Sequence, residues 1–309
     1  MTFEWRPLRE SDASAWAELM AVVAQADGDE EEDETEVVES FGDPYRDYEY
    51  GSVGVFDGPA LIGYGVLTSR PVAEPRHDMR HSGGVHPSFR GKGLGGELLD
   101  WAESTARPLH TERFPGRPLS LHSGCVSGNT AAVALHEARG YQPVRMFQVM
   151  TRDLADPIVA AELADGLRAE EFTAQRSEDA RLVRNESFRD HWGSIDVPAE
   201  SWARMRSASS FRSGFSFVVY EGSDPLGMVI SHDHGRDLYI ALVGTRAAGR
   251  KRGIATALVS MVLTRAKAAG YATASLSVDA DSLTGAVGVY ERAGFTTKLA
   301  WTVFDKQLM

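Results

Sequence analysis

Cysteine is nearly absent from this chain. A single one, Cys125 among 309 residues, excludes an internal disulfide framework and is expected to be buried as a small apolar side chain. Positive charge is also short: 32 Lys and Arg stand against 44 Asp and Glu, a formal net charge of -12. That sign opposes non-specific adhesion to nucleic acid. No apolar run approaches the ~20 residues of a membrane-spanning helix, and the first residues carry no secretory pattern. These absences lead to the expectation of a cytoplasmic protein with no nucleic-acid partner and no membrane partner.

The composition that is present, 43% hydrophobic and 25% charged, is ordinary for soluble globular protein. The length suits two domains of about 150 residues each. A repeated motif supports that division. Arg90-Gly91-Lys92-Gly93-Leu94-Gly95 returns as Arg250-Lys251-Arg252-Gly253-Ile254-Ala255. Each copy follows an apolar run, ending near Val85 and Thr245, and opens an amphipathic helix, so each reads as a strand, a tight loop and a helix N-terminus. Free amides at such a terminus form a seat for phosphate. Each copy leads on to a small-residue helix, ending "LHEARGY" (Leu135 to Tyr141) and "VYERAGF" (Val289 to Phe295).

Periodicity and turn residues predict the same order of elements in both halves. In the first, strands are expected over 3–9, 51–57, 60–70, 78–86, 118–125 and 141–151, with helices over 12–26, 36–41, 93–106 and 129–139. In the second, strands are expected over 167–173, 215–221, 226–232, 237–244, 272–279 and 295–305, with helices over 178–190, 199–209, 252–269 and 283–293. A Pro-containing connector over 153–166 separates a domain at 1–152 from one at 167–309. The run from Asp27 to Glu36 carries eight carboxylates in ten residues and reads as a solvated loop or as a cation-attracting rim.

The paired turns resemble the acyl-CoA signature of the GNAT superfamily of N-acetyltransferases: Arg or Gln, two residues, Gly, one residue, then Gly or Ala. The resemblance covers nearly the whole chain as two domains in tandem. It implies an α/β fold (α+β mixed sheet), each domain a mostly antiparallel sheet with a central, splayed parallel pair and flanking helices. It also implies acetyl-CoA as cofactor and the primary amine of a small molecule as acceptor, in a monomer or homodimer. A non-catalytic acyl-CoA sensor or scaffold, or a protein or peptide N-acetyltransferase, is the alternative.

Residue roles follow from that resemblance. The amides of Arg250, Lys251, Arg252, Gly253, Ile254 and Ala255 would wrap the diphosphate of coenzyme A, with Val243 and Thr245 on the preceding strand and Ala286 along the arm. In the first half Val85, Arg90, Gly91, Lys92, Gly93, Leu94, Gly95 and Asn129 hold the matching places. Val243 would offer a backbone N–H to the thioester carbonyl, and Gly83 is its counterpart. Tyr290 occupies the place of the proton donor to the departing thiolate, a role suited to a phenol of pKa ~10. The alternative is an aromatic packed on the sheet, and the motif favours the donor. His136 stands there in the first half, whereas Leu283 replaces the asparagine of the second, with Asp281, Ser282 and Thr284 nearby. The second half is therefore read as catalytic and the first as cofactor-binding or supporting.

The family's usual base position falls on Leu242, so His191, His232, Asp233, His234 and Asp237 are the candidate bases. Asp190, His191 and Trp192 are expected to line the acceptor pocket, with His232 and His234 near it. "HDHGRD" also reads as a polar hairpin, and two histidines one residue apart are poor evidence for a metal, so no metal site is expected.

Overall fold

The computed structural model describes residues 3–29, 34–282 and 285–309. Most of the acidic run, Leu283 and Thr284 lie outside the described residues. Two compact units emerge, the first comprising Met1–Phe147 with Leu299–Met309 and the second Gln148–Lys298.

In the first unit β1 (Glu4–Arg6), β2 (Ser52–Asp57), β3 (Ala60–Ser69), β4 (His77–Val85) and β5 (Leu119–Val126) form a sheet in that order. Helices α1 (Ala13–Asp27), α2 (Glu34–Ser40), α3 (Leu94–Arg113) and α4 (Thr130–Ala138) complete the unit, and β6 (Gln142–Asp153) leads out of it. All pairs from β1 to β4 are antiparallel. β4 and β5 run parallel, from His77 with Leu119 to His81 with Ser123, and then pair no further.

The second unit repeats the plan. Strands β7 (Leu167–Glu171), β8 (Phe217–Glu221), β9 (Asp224–His234), β10 (Asp237–Thr245) and β11 (Thr273–Asp279) accompany helices α5 (Ser177–Ser187), α6 (Ala199–Ser207), α7 (Ile254–Ala269) and α8 (Ala286–Arg292). β12 (Thr296–Gln307) ends the chain. β10 is antiparallel to β9 and parallel to β11 only from Asp237 with Thr273 to Tyr239 with Ser275. A register shift between Ile240 and Leu242 follows at once. An extra residue there bends the strand away from its neighbour.

The repeats along the chain and the units of packing differ in one respect. β12 pairs with β5 of the first unit, Trp301 opposite Val126 through Gln307 opposite Ser120, while the end of β6 lies beside β11. The division at 1–152 and 167–309 describes sequence repeats, and the compact units exchange their last strands. The connector after β6 runs without regular structure over α7: the amide of Ala161 donates to Ser260 Oγ at 3.1 Å, and that hydroxyl donates to the Val159 carbonyl at 3.1 Å.

The helices form for the reasons periodicity gives. α7 turns Ile254, Ala257, Leu258, Val262, Leu263 and Ala266 into the core and stops at Gly270, which takes φ 90° and donates its amide to Ala266 O, a glycine C-cap. α3 runs beyond the stop expected at 106 and carries Pro108 inside it. Its last turn is kept by tertiary ties: His110 is fully buried, with its Nε2–H donating to the Arg117 carbonyl at 2.8 Å. Packing here outweighs the lost backbone bond at proline.

Candidate active site

In the second unit the strands part just before the basic turn. Beyond Tyr239 and Ser275 the parallel ladder ends, so Val243, Gly244 and Thr245 continue along β9 alone. Arg246 fixes this end of β10, donating from Nε to Glu186 on α5 at 2.7 Å and from Nη1 to Asp224 on β9 at 2.6 Å. The hydrogen bond with Glu186, more than any other cause, raises the Arg246 pKa.

The turn then presents its amides. Among the described residues, no acceptor takes the N–H of Lys251, Arg252, Gly253, Ile254 or Ala255; the nearest used amides are those of Arg250, to Ala247 O at 3.3 Å, and Ala257, to Gly253 O at 3.0 Å. Lys251 (φ 62°) and Gly253 (φ 76°) both adopt left-handed backbone, which turns successive N–H groups to one side as an anion-binding nest. Ile254 is buried in the core, so it contributes only its backbone. Lys251 is exposed and Arg250 has no ionic partner among the described residues, whereas Arg252 is held by Glu221 at 2.7 and 3.0 Å. Thr245 Oγ1, at the end of β10, is buried with no partner. Orphan amides and an orphan hydroxyl on one strand–turn–helix corner fit a ligand carrying phosphate and an amide-bearing arm.

Tyr290 lies on α8 at 9% exposure, its ring edge-on to Phe295 with centroids 6.0 Å apart. Burial, and secondarily Tyr239, push its phenol up to about 12. Its hydroxyl has no hydrogen-bond partner among the described residues. Ala286 begins the same helix and is half-buried against the core.

The other named residues are distributed less evenly. Asp237 sits at the paired end of β10 and β11, where Thr273 Oγ1 donates to it at 2.6 Å and Ser275 Oγ donates to its other oxygen; it staples the strands. His232 Nδ1 lies 3.0 Å from Ser210 Oγ, and the His234 ring stacks on Tyr239 at 5.0 Å. His191 and Trp192 ride on the loop after α5 with exposed Asp190, the ring of His191 4.9 Å from Phe188. Three residues of α5 anchor that loop. Asn185 Oδ1 accepts the Val197 amide at 2.9 Å, Arg181 donates to the Val197 carbonyl at 2.8 Å, and Arg184 donates to the Ile195 carbonyl. Their only trace in sequence is their clustering on one helix before a polar loop.

In the first unit the turn has the same form, with Gly91 at φ 74° and Gly93 at φ 92°. No acceptor among the described residues takes the amides from Gly91 through Gly95, and Lys92 lies over the Phe89 ring at 4.4 Å. Leu94 is buried and Val85 packs partly against the core. Arg90, however, pairs with Asp27 at 2.7 and 3.0 Å and donates to the Val85 carbonyl at 3.1 Å. Asn129 caps α4, accepting the Ala132 amide at 3.1 Å, and donates to Asp27 at 3.1 Å. Cys125 is buried as expected, and burial pushes its thiol up to about 11.

A forked parallel pair, an amide-bearing turn and a covering helix, built twice in one chain, are the architecture of a tandem acetyltransferase. The model of the Acetyltransferase (GNAT) family matches residues 12–141 and again 178–295, and the chain belongs to that family. Its relatives include a mycothiol acetyltransferase of Thermobispora bispora, 29% identical over 81% of this chain and 80% of that protein. Another, from Catenulispora acidiphila, is 30% identical over 80% and 78%. A GCN5-related N-acetyltransferase structure from Sphaerobacter thermophilus superposes with TM-score 0.82 at 28% identity, covering 99% of this chain and 96% of that one. A tandem GNAT protein from the clavulanic acid biosynthesis pathway shares the fold at TM-score 0.75 and 17% identity, over 100% and 99%. The chain is an acetyltransferase, and no helix among the described residues is long and apolar enough to cross a membrane.

Proposed function

We propose that this acetyltransferase uses acetyl-CoA, that its reaction takes place in the second unit, and that the acceptor is the primary amine of a small molecule. Acetyl-CoA, when bound, supplies the activated acetyl group. The unpaired amides of Lys251 to Ala255 carry the proposal, since they offer diphosphate a seat at the start of α7 without displacing any internal partner. Arg250 adds charge beside it, Thr245 Oγ1 and Ala286 border the arm, and the backbone of Val243 on the parted strand faces the thioester carbonyl.

Tyr290 gives its proton to the departing sulfur. A phenol held protonated to about 12 performs this at any working pH, and its buried position keeps water from competing. His191, carried by the loop that Asn185 and Arg184 tie to α5, takes the proton of the incoming amine, with Asp190 and Trp192 beside it. Asp237 serves the strands instead. The relatives named mycothiol acetyltransferase make the amine that those enzymes acetylate the first acceptor to try.

Release of free thiol from acetyl-CoA, measured against amino sugars, cysteinyl conjugates, polyamines, amino acids and peptides, tests this reading. Amine-dependent release with a small molecule supports it. Release only with peptides would move the acceptor class, and silence across the panel would favour a cofactor-binding protein without turnover.

A further inference from the structure

The two forks are built alike but end differently. Along β4 and β5 the parallel pairing persists to His81 with Ser123, two residues beyond the level at which Tyr239 and Ser275 part in the second unit. Repeat positions relate His81 to Ala241, Ser123 to Ser277 and His136 to Tyr290. The second unit has its register shift at Ala241, and Ser277 is exposed. In the first unit no shift interrupts β4 against β3, and Ser123 is 5% exposed.

Side chains fill the difference. The Ala132 carbonyl can only accept, so His136 Nδ1–H donates to it at 2.8 Å. Burial lowers the His136 pKa, so the ring is neutral and its Nε2 accepts the Ser123 hydroxyl at 3.0 Å. Ser123 Oγ in turn accepts the Nδ1–H of His81 at 3.1 Å, which leaves His81 Nε2 a bare lone pair, buried and without a partner. That nitrogen lies 2.8 Å from where a Gly83 Cβ would stand, against the backbone position corresponding to Val243. A thioester carbonyl brought to Gly83 would meet a lone pair. Further out, the Asp27 carboxylate joins Arg90, just past β4, to Asn129, just past β5, and so spans the mouth of the same fork.

We propose that His81 with Ser123 and His136 inside, and Asp27 with Arg90 and Asn129 outside, close the first unit's cleft to acetyl-CoA and restrict the chain to one cofactor site. This rests on the reading that the second unit binds acetyl-CoA. The amides of Gly91 to Gly95 form the seat for a diphosphate, but the path from seat to fork is crossed by the chain's own groups.

Calorimetric titration with acetyl-CoA tests it on the intact chain. The wild type should bind one equivalent, and Arg250→Glu should bind none. Two equivalents in the wild type, or one retained by an Arg250→Glu chain that no longer turns over, would overturn the closure while leaving the function intact. No binding by the wild type would instead sink the cofactor reading and this inference with it. Adding Asp27→Ala and His81→Ala to Arg250→Glu should restore one equivalent; a folded triple variant that binds none would contradict the assignment to these residues.

Discussion

Lys251 stands in the second turn where Gly91 stands in the first, and the two share left-handed backbone at φ 62° and 74°. Lys251 is the one non-glycine residue with positive φ among the described residues. A side chain there costs roughly 1 kcal/mol. Retaining a lysine against that strain fits a cation needed beside the diphosphate. Lys251→Gly should therefore raise the melting temperature, by the equivalent of ~0.5–1 kcal/mol, and weaken acetyl-CoA binding. Thermal melts with and without the cofactor check both signs.

Tyr290→Phe should lower kcat by about a hundredfold or more and leave KM for acetyl-CoA nearly unchanged, because the ring still packs on Phe295. Burial holds the phenol up to about 12, so ionisation of Tyr290 causes no loss of wild-type rate below pH 10. An alkaline limb between pH 8 and 10 that vanishes in the phenylalanine variant would contradict the assignment.

The first unit should be sensitive to mild acid. Burial, chiefly, holds His77 down to about 4 and His81 to about 3, so both are neutral in the folded protein. In the unfolded chain each takes up a proton near 6.5. The stability they confer is thus complete above about pH 6.5 and is lost as pH falls towards 4, at up to ~1.4 kcal/mol per pH unit for each group. The melting temperature should fall from pH 7 to pH 5, above the usual carboxylate range, and His77→Asn should flatten that slope. An unchanged midpoint would show that these rings are not buried neutral.

The loop bearing His191 should loosen when its anchor is cut. Asn185→Ala removes two bonds to Val197, at 2.9 and 3.3 Å. The variant should lose about 1 kcal/mol of stability and show a raised KM for the acceptor, with acetyl-CoA affinity unchanged. Steady-state kinetics with each substrate varied in turn separates the two.

Much of this architecture was legible in the chain. The repeated turns and the alternation of β-branched residues place the strands and most helices within a few residues, although α3 runs on to Arg113. Longer-range relations were not. β6 and β12 carry similar apolar patterns, and nothing in either says that residues beyond Leu299 pair with β5. Asp27 and Asp29 read as the start of a solvated acidic run, yet one joins Arg90 to Asn129 and the other accepts the Trp301 indole N–H at 3.1 Å. Asp237 is a candidate base in sequence, and its ties to Thr273 and Ser275 across a parallel ladder join positions too far apart in the chain to be read there. His81, Ser123 and His136 come together only in three dimensions, so a closed fork looked in sequence like an intact one.

The central claim is that the second turn holds the cofactor for reaction, and the thiol-release rate of Arg250→Glu tests it most directly. With an active amine at saturation and acetyl-CoA varied, kcat/KM for acetyl-CoA should fall about 100-fold or more, as expected when a charge-assisted contact to phosphate is replaced by repulsion. A variant that is folded and as active as the wild type would contradict it.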